Sequence, residues 1–435
     1  MDKKKKFIKW LYSELPSLIS GGVISEENAR KIKTHYGEIS EVNTGKLALA
    51  ILSVTGALLI GGGIILLLAH NWESMTREYR AVISFIPLII SQILACYVML
   101  KKRESAAWTE SVATAWTVSV IACMSLICQT YNLGGDFNFF WFICIGLSLP
   151  AVYLLNSITA CILCMAGIIF GLGYSRWENE NPFYFWGLAT ATAPYICYSY
   201  HKYKNSMRNI YLSFAVIGFL TITAGMVSGN GLGVWVISFS SLFASIYLAS
   251  VIIDNEKIPG WVFKYAGMTG IIIVSVILSF KTQWHFHSYR SYELLPYKEL
   301  KAYIEYAYTG ALLLFSIVFL FRLFVMKKYE SLLWGLSGLV GVTAYVIDML
   351  SETPEIPALM FSIFLAALGV LMLVRGFKLK SIFRMNWGII IIALLILMRF
   401  FDSNIDFIVK GLVFMLIGII ILVFNLFLAK RIKAN

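Results

Sequence analysis

From Lys46 to the end of the chain, long apolar runs alternate with short polar breaks. Each run is close to the length that crosses a bilayer as a helix, about 20 residues. The pattern predicts fourteen such spans. The first seven are Leu47–Ala69, Ala81–Leu100, Val112–Cys128, Phe139–Leu155, Ile158–Tyr174, Phe183–Tyr198 and Ile210–Met226. The remainder are Leu232–Ile253, Trp261–Phe280, Tyr306–Val325, Leu332–Ile347, Ile356–Val374, Ile382–Phe400 and Ile405–Leu428. Only Asn156-Ser157 separates the fourth span from the fifth, so two full crossings and one re-entrant pair are both open there. The expected fold is all-α: a polytopic transmembrane helix bundle of about fourteen spans, with a short helical pair before it.

That pair occupies residues 1–46, ahead of the membrane domain at 47–435. Its basic start resembles a signal peptide, but Lys9, Ser13, Glu14 and Pro16 interrupt the apolar stretch that a cleaved signal requires. Phe7, Ile8, Leu11, Leu15, Leu18 and Ile19 instead recur at helical spacing. A second helix opens at Ser25 as its N-cap, carries Glu26 and Glu27 in its first turn, and ends near Gly37. A basic amphipathic segment of this kind suits anionic lipid; docking as a solvated pair on the first spans is the alternative.

Loop charges test the span count independently. With the N-terminus inside, 27 of the 36 basic residues fall on the cytoplasmic side, against 11 of the 24 acidic ones. The formal +12 thus divides into +16 inside and −4 outside, which is the positive-inside asymmetry. Both termini are expected in the cytoplasm. Composition agrees: 59% hydrophobic, 14% charged and a mean hydropathy of +0.76 exclude an ordinary soluble enzyme. The basic excess is accounted for by topology, and nucleic acid is not expected as a partner.

Candidate chemistry is sparse. All seven cysteines fall within predicted spans, and Cys161-Ile162-Leu163-Cys164 lacks the second pair a metal site needs. Trp284-His285-Phe286-His287 lacks a third ligand, so no metal and no cofactor are expected. No span carries Asp or Glu at its midpoint, which counts against a pump built on a midplane carboxylate. Gly61-Gly62-Gly63, Gly167/Gly171/Gly173 and Pro150 are candidate helix breaks, or else sites of close helix packing. Polar residues gather instead at predicted outer ends: His70, Asn71, Trp72 and Glu73; Gln129, Tyr131 and Asp136; Asp348; Arg399 and Asp402. Arg399 and Asp402 are spaced to pair on a helix, as are His70 and Glu73. Capping and solvation explain such residues equally well as a pocket does.

The stretches Leu18-Ile19-Ser20-Gly21-Gly22-Val23-Ile24-Ser25-Glu26-Glu27-Asn28-Ala29, Gly61–Gly63 with His70-Asn71-Trp72, and Gln129-Thr130-Tyr131-Asn132-Leu133-Gly134-Gly135-Asp136 carry a family likeness. In that order they resemble the uncharacterised prokaryotic membrane family known as domain of unknown function 2157. The likeness covers about residues 15–150, with a further similarity from Arg399-Phe400-Phe401-Asp402 into the basic tail. It implies an integral protein of a prokaryotic inner membrane and supplies no activity.

Three functions compete. A transporter or translocase of a small-molecule or lipid-linked substrate fits many spans with little soluble mass. A membrane glycosyl- or phosphotransferase would use His70 or Asp136 as base and Arg399 to hold phosphate. A non-catalytic accessory subunit of an envelope complex needs no pocket. The first is the leading expectation; beyond the bilayer, no protein partner is indicated.

Overall fold

The chain is described by a computed structural model that covers residues 2–36, 72–172, 183–203, 206–228, 234–252, 259–284, 296–351 and 353–401, with 411, 412, 415, 418 and 419 beyond. Among these residues all regular structure is helical. The predicted span Leu47–Ala69 lies outside them, and Ile405–Leu428 almost wholly so. The chain divides into two units, Met1–Arg80 and Ala81–Asn435.

In the first unit, α1 (Asp2–Ser20) and α2 (Glu26–Tyr36) form the expected pair. Leu15 and Ala29 are their buried residues. Gly22 sits at φ +69°, a left-handed conformation that glycine adopts without a Cβ penalty. It closes α1 through Gly22 N to Ile19 O (3.0 Å) and Val23 N to Leu18 O (3.0 Å). Ser25 Oγ then accepts from Asn28 N at 3.3 Å, the cap read from the sequence.

The second unit is built from α3 (Arg77–Lys101), α4 (Ala106–Tyr131), α5 (Phe137–Leu154), α6 (Ile158–Gly167) with a π-turn at Ile168–Leu172, α7 (Phe183–Tyr203) and α8 (Met207–Val227). There follow α9 (Trp235–Ile252), α10 (Gly260–Leu278), α11 (Pro296–Val325), α12 (Leu332–Leu350), α13 (Glu355–Lys378) and α14 (Ile382–Phe401). Each coincides with one predicted span. Ten of these described helices are long and apolar enough to cross a membrane; α6 is too short and α7 is not among the ten. α6 nevertheless runs back along α5 until Gly171 meets Trp141, one turn from the start of α5.

Contacts fix the relative direction of the helices. Gly167 against Ile145 makes α5 and α6 antiparallel, while the ring pairs Phe142–Tyr184 and Tyr153–Tyr195 make α5 and α7 parallel. Gly267 against Tyr247 and Gly270 against Phe243 set α10 antiparallel to α9. Ser238 with Thr309, and Ser245 with Leu312, set α11 parallel to it. Gly335 against Leu248 and Gly341 against Ser240 set α12 antiparallel again. Gly376 against Met385 and Gly369 against Ile392 pair α13 with α14 in the same sense. Successive helices therefore alternate in direction, as successive crossings must.

Two packed groups result. Helices α3–α8 share one core, containing Ala113, Ile145, Val152, Cys161, Leu188 and Leu212. Helices α9–α14 share another, around Leu248, Ile271, Trp334, Phe361 and Leu365. Helix α8 touches both α6–α7 and α9–α11, and so joins them. Helix α9 is the most enclosed of the candidate spans, with 56% of its apolar window buried.

Lipid offers no hydrophobic drive for helix association, so small residues that admit close backbone contact carry it. At Gly267 an added Cβ would fall 2.6 Å from Tyr247 N and 2.7 Å from its Cα, atoms that cannot rotate away. Gly267→Val is expected to cost about 1–3 kcal/mol in detergent unfolding. Gly310→Ala, where an added Cβ meets nothing within 4 Å, should be neutral or slightly stabilising. Equal effects of the two substitutions would contradict this packing.

Candidate functional site

The polar residues singled out from the sequence fall into three places. His70, Asn71 and Asp402 lie outside the described residues, and the Glu73 side chain is likewise not described. Trp72 opens a 3-10 turn, Trp72–Ser74. The Arg80 guanidinium lies 5.9 Å over the Trp72 ring, and its Nε donates to Met75 O at 3.1 Å.

The second place is the corner between α4 and α5. Asn132 takes the left-handed conformation (φ 50°), and Leu133 N donates to Cys128 O at 3.0 Å, which ends α4. Asp136 Oδ1 accepts from Asn138 N at 2.8 Å, which starts α5. The run Asn132–Asp136 is thus a helix stop followed by a helix start, and Asp136 is a cap. Gln129 and Tyr131 remain exposed beside it.

The third place is the end of the α9–α14 group. Asp348 is buried near the end of α12. Arg399 Nη2 donates to Ala358 O at 3.0 Å and to Ser362 Oγ, tying the end of α14 to the start of α13. Ala358 shares a core with Ala344 and Val236, so Arg399 and Asp348 lie at the same end of the helices.

Ring and hydrogen-bond contacts connect that end to the α4–α5 corner. Phe139 meets Tyr184 at 6.5 Å, Trp186 meets Tyr308 at 5.8 Å, and Thr309 meets Ser238 at 2.6 Å. Gln129, Tyr131, Asp136, Asp348 and Arg399 consequently occupy one end of the bundle. The basic turns at Lys101–Arg103, Lys327-Lys328 and Lys378–Lys380 occupy the other. Position at one end is not convergence: Gln129 and Asp136 belong to the α3–α8 group, Asp348 and Arg399 to α9–α14.

Two clusters escaped the sequence reading. At the basic end, Glu110 of α4 accepts from Ile158 N (3.2 Å), Thr159 N (2.9 Å) and Ser157 Oγ, so its carboxylate sits on the N-terminus of α6. Arg208 of α8 lies 3.8 Å from Glu110 Oε1 and donates to Tyr195 OH (2.7 Å) and to Asn156 O. Its guanidinium also covers the Tyr203 ring at 4.4 Å. Five helix ends meet on this one ion pair.

The other cluster is the interior of the α9 group. Ser228, Ser238 and Thr309 form a chain of hydroxyls linked at 2.6 Å. Deeper in, Ser240 and Ser241 of α9, Ser275 of α10, Ser316 of α11 and Ser337 of α12 are fully buried. Their hydroxyls have no hydrogen-bond partner among the described residues. Helical serines ordinarily return the proton to a carbonyl one turn back, as Ser148 does to Cys144 O and Ser362 to Ala358 O. These five do not. Ser316 Oγ and Ser241 Oγ stand 2.9 and 3.1 Å from the point where a Gly338 Cβ would be, and Ser240 Oγ 3.0 Å from that of Gly341. Hydroxyls of α9 and α11 therefore face the bare Gly338 and Gly341 positions of α12. The spacing Ser238, Ser241, Ser245 was the available signal.

Residues 16–161 match the family model described as predicted membrane protein (DUF2157). The matched stretch takes in Trp72, Gln129, Tyr131 and Asp136 as well as Glu110, Asn156 and Ser157. It ends inside α6, so α9 and its serines lie beyond it. No curated protein and no solved structure matches the chain. The chain carries this membrane-family region, and its function has not been assigned to that family. Among the described residues, no group of three or more metal-ligating side chains is found.

The Glu110–Arg208 junction makes a stability prediction. Glu110→Ala strips a carboxylate from two backbone N–H groups and from Arg208, and should cost about 2 kcal/mol. Arg208→Gln should cost clearly less when introduced on top of Glu110→Ala than when made alone. Additive losses in thermal unfolding of the purified protein would count against the junction.

Proposed function

We propose that the protein is a multi-pass transporter or translocase of the cytoplasmic membrane of a prokaryote, and that its substrate path runs along the hydroxyls surrounding α9. The observation that carries this reading is the set of five buried serine hydroxyls without protein partners. An unpaired hydroxyl in an apolar interior is costly, and in lipid no bulk water relieves it. Water or a passing polar solute would supply what the protein does not. The absence of a midplane carboxylate from the predicted spans suits a neutral polar solute, or the polar part of a lipid-linked one.

The basic end is read as cytoplasmic by the positive-inside rule, with both termini on that side. The alternating helix directions support this parity. Glu305 and Asp348, both buried toward the acidic end, flank the outer mouth. The polar residues at that end, with His70, Asn71, Glu73 and Asp402, belong to the same outer surface. Asp136 is used as a cap and Arg399 as an interhelical tie, which favours transport over acid–base chemistry at these positions.

Thiol accessibility tests the path. Ser241→Cys and Ser316→Cys should react with a small membrane-impermeant thiol reagent in sealed vesicles, above the background of the seven native cysteines. Ile273→Cys, on a lipid-exposed face, should not. Failure of both serine positions to label in either vesicle orientation, with full labelling after denaturation, would overturn the path.

A further inference from the structure

Where α10, α13 and α14 meet at the basic end, three cations converge. Gly376 of α13 packs on Met385 of α14 so closely that a Cβ would fall 2.8 Å from Met385 N. This contact sets Arg375 and Arg384, the residues just before each, at one corner. Helix α10 packs against both α13 and α14. Lys264, one turn into α10, lies within electrostatic reach of Arg384 and Arg375. Among the described residues, neither Lys264 nor Arg384 has an ion-pair partner.

The surroundings locate this corner at a particular depth. Trp261 and Tyr265 on α10, and Phe377 and Phe383 on α13 and α14, are large exposed aromatics that flank the cations. Exposed aromatics beside basic residues near helix ends mark the boundary between hydrocarbon and headgroups. Lys264 is itself exposed, and Arg375 and Arg384 are partly so. The cleft between α10 and α14 is therefore open at its edge. Like charges held this close repel unless an anion sits among them. A phosphate presents several acceptor oxygens to guanidinium forks and an ammonium at once.

We propose that Lys264, Arg375 and Arg384 form a binding site for a phosphate group, carried either by an anionic lipid headgroup or by a soluble phosphorylated solute. The site is separate from the hydroxyl path and stands or falls independently of it. Cytoplasmic-side basic pockets between membrane helices are suited to lipid phosphates. The anion would neutralise the corner and tie α10 to the α13–α14 hairpin.

The test uses the purified full-length chain. One arm measures retention of phosphatidylglycerol or cardiolipin by native mass spectrometry, after reconstitution in phosphatidylcholine nanodiscs containing each. The other measures the rise in unfolding temperature in neutral detergent on adding inorganic phosphate, with chloride matched for ionic strength. Lys264→Gln/Arg384→Gln should weaken binding by about tenfold or more in the arm that responds. Lys264→Arg/Arg384→Lys should restore it. Lys101→Gln/Lys102→Gln, exposed at the end of α3, should leave it unchanged and so controls for general surface charge. A response to lipid or to phosphate supports the site and names its source. A response to neither, or an equal loss in the Lys101/Lys102 control, overturns it. Folding of each variant is checked by its melting profile and elution volume, and the charge-preserving pair keeps the test decisive if the glutamine pair is unstable.

Discussion

The second unit depends on how closely three helices approach α9. Glycines of α10 and α12 meet its backbone and short side chains, and α11 lies parallel alongside it. In a bilayer this is the interaction that must do the assembling, because lipid chains are as apolar as leucine and exposing a side chain to them carries no penalty. Dispersion between closely apposed surfaces, and bonds between polar groups that have no water to turn to, are what remain. The abundance of large apolar residues on the outer faces of these helices follows directly: they face lipid and do not determine packing.

The same small residues that permit close packing give α9 its polarity. Serine is the smallest side chain that carries a hydroxyl, so a helix that needs narrow contacts can acquire a row of hydroxyls at little steric cost. Some are absorbed by the structure, as in the Ser228–Ser238–Thr309 chain. Others face Gly338 and Gly341, where no side chain fills the space. Charge is kept to the two ends. At the basic end Glu110 and Arg208 join five helix ends, while Lys264, Arg375 and Arg384 gather without a matching carboxylate among the described residues. The bundle thus has a neutral polar interior between oppositely biased ends.

Much of this organisation was legible in the sequence, for a simple reason: crossing a bilayer fixes helix length, and charge bias fixes direction. All twelve predicted spans from Ala81 to Phe400 coincide with helices, including the pair separated only by Asn156-Ser157. That turn closes through the left-handed Asn156 and the Ser157 cap, and the short α6 gains its reach from a π-turn against Trp141. The site was less legible. Asp136 stood out as a polar residue at an outer end and proves to be a cap, a role that composition cannot separate from binding. Glu110 looked like a loop charge because the apolar run begins only at Val112, yet it lies inside α4 and finds Arg208 through the fold. The serines of α9 were invisible to a search for charge, since their significance lies in which neighbours lack side chains.

The central claim is that α9 lies parallel to α11, with Ser238 and Thr309 face to face. Replacing both by cysteine puts two sulfurs where two hydroxyl oxygens stand 2.6 Å apart, within reach of a disulfide with little backbone movement. Mild oxidation in native membranes should then join residues 238 and 309 within one chain, detectable as a linked peptide after digestion. No crosslink between them, with efficient reaction of each cysteine alone toward a small thiol reagent, would contradict the arrangement of helices around α9.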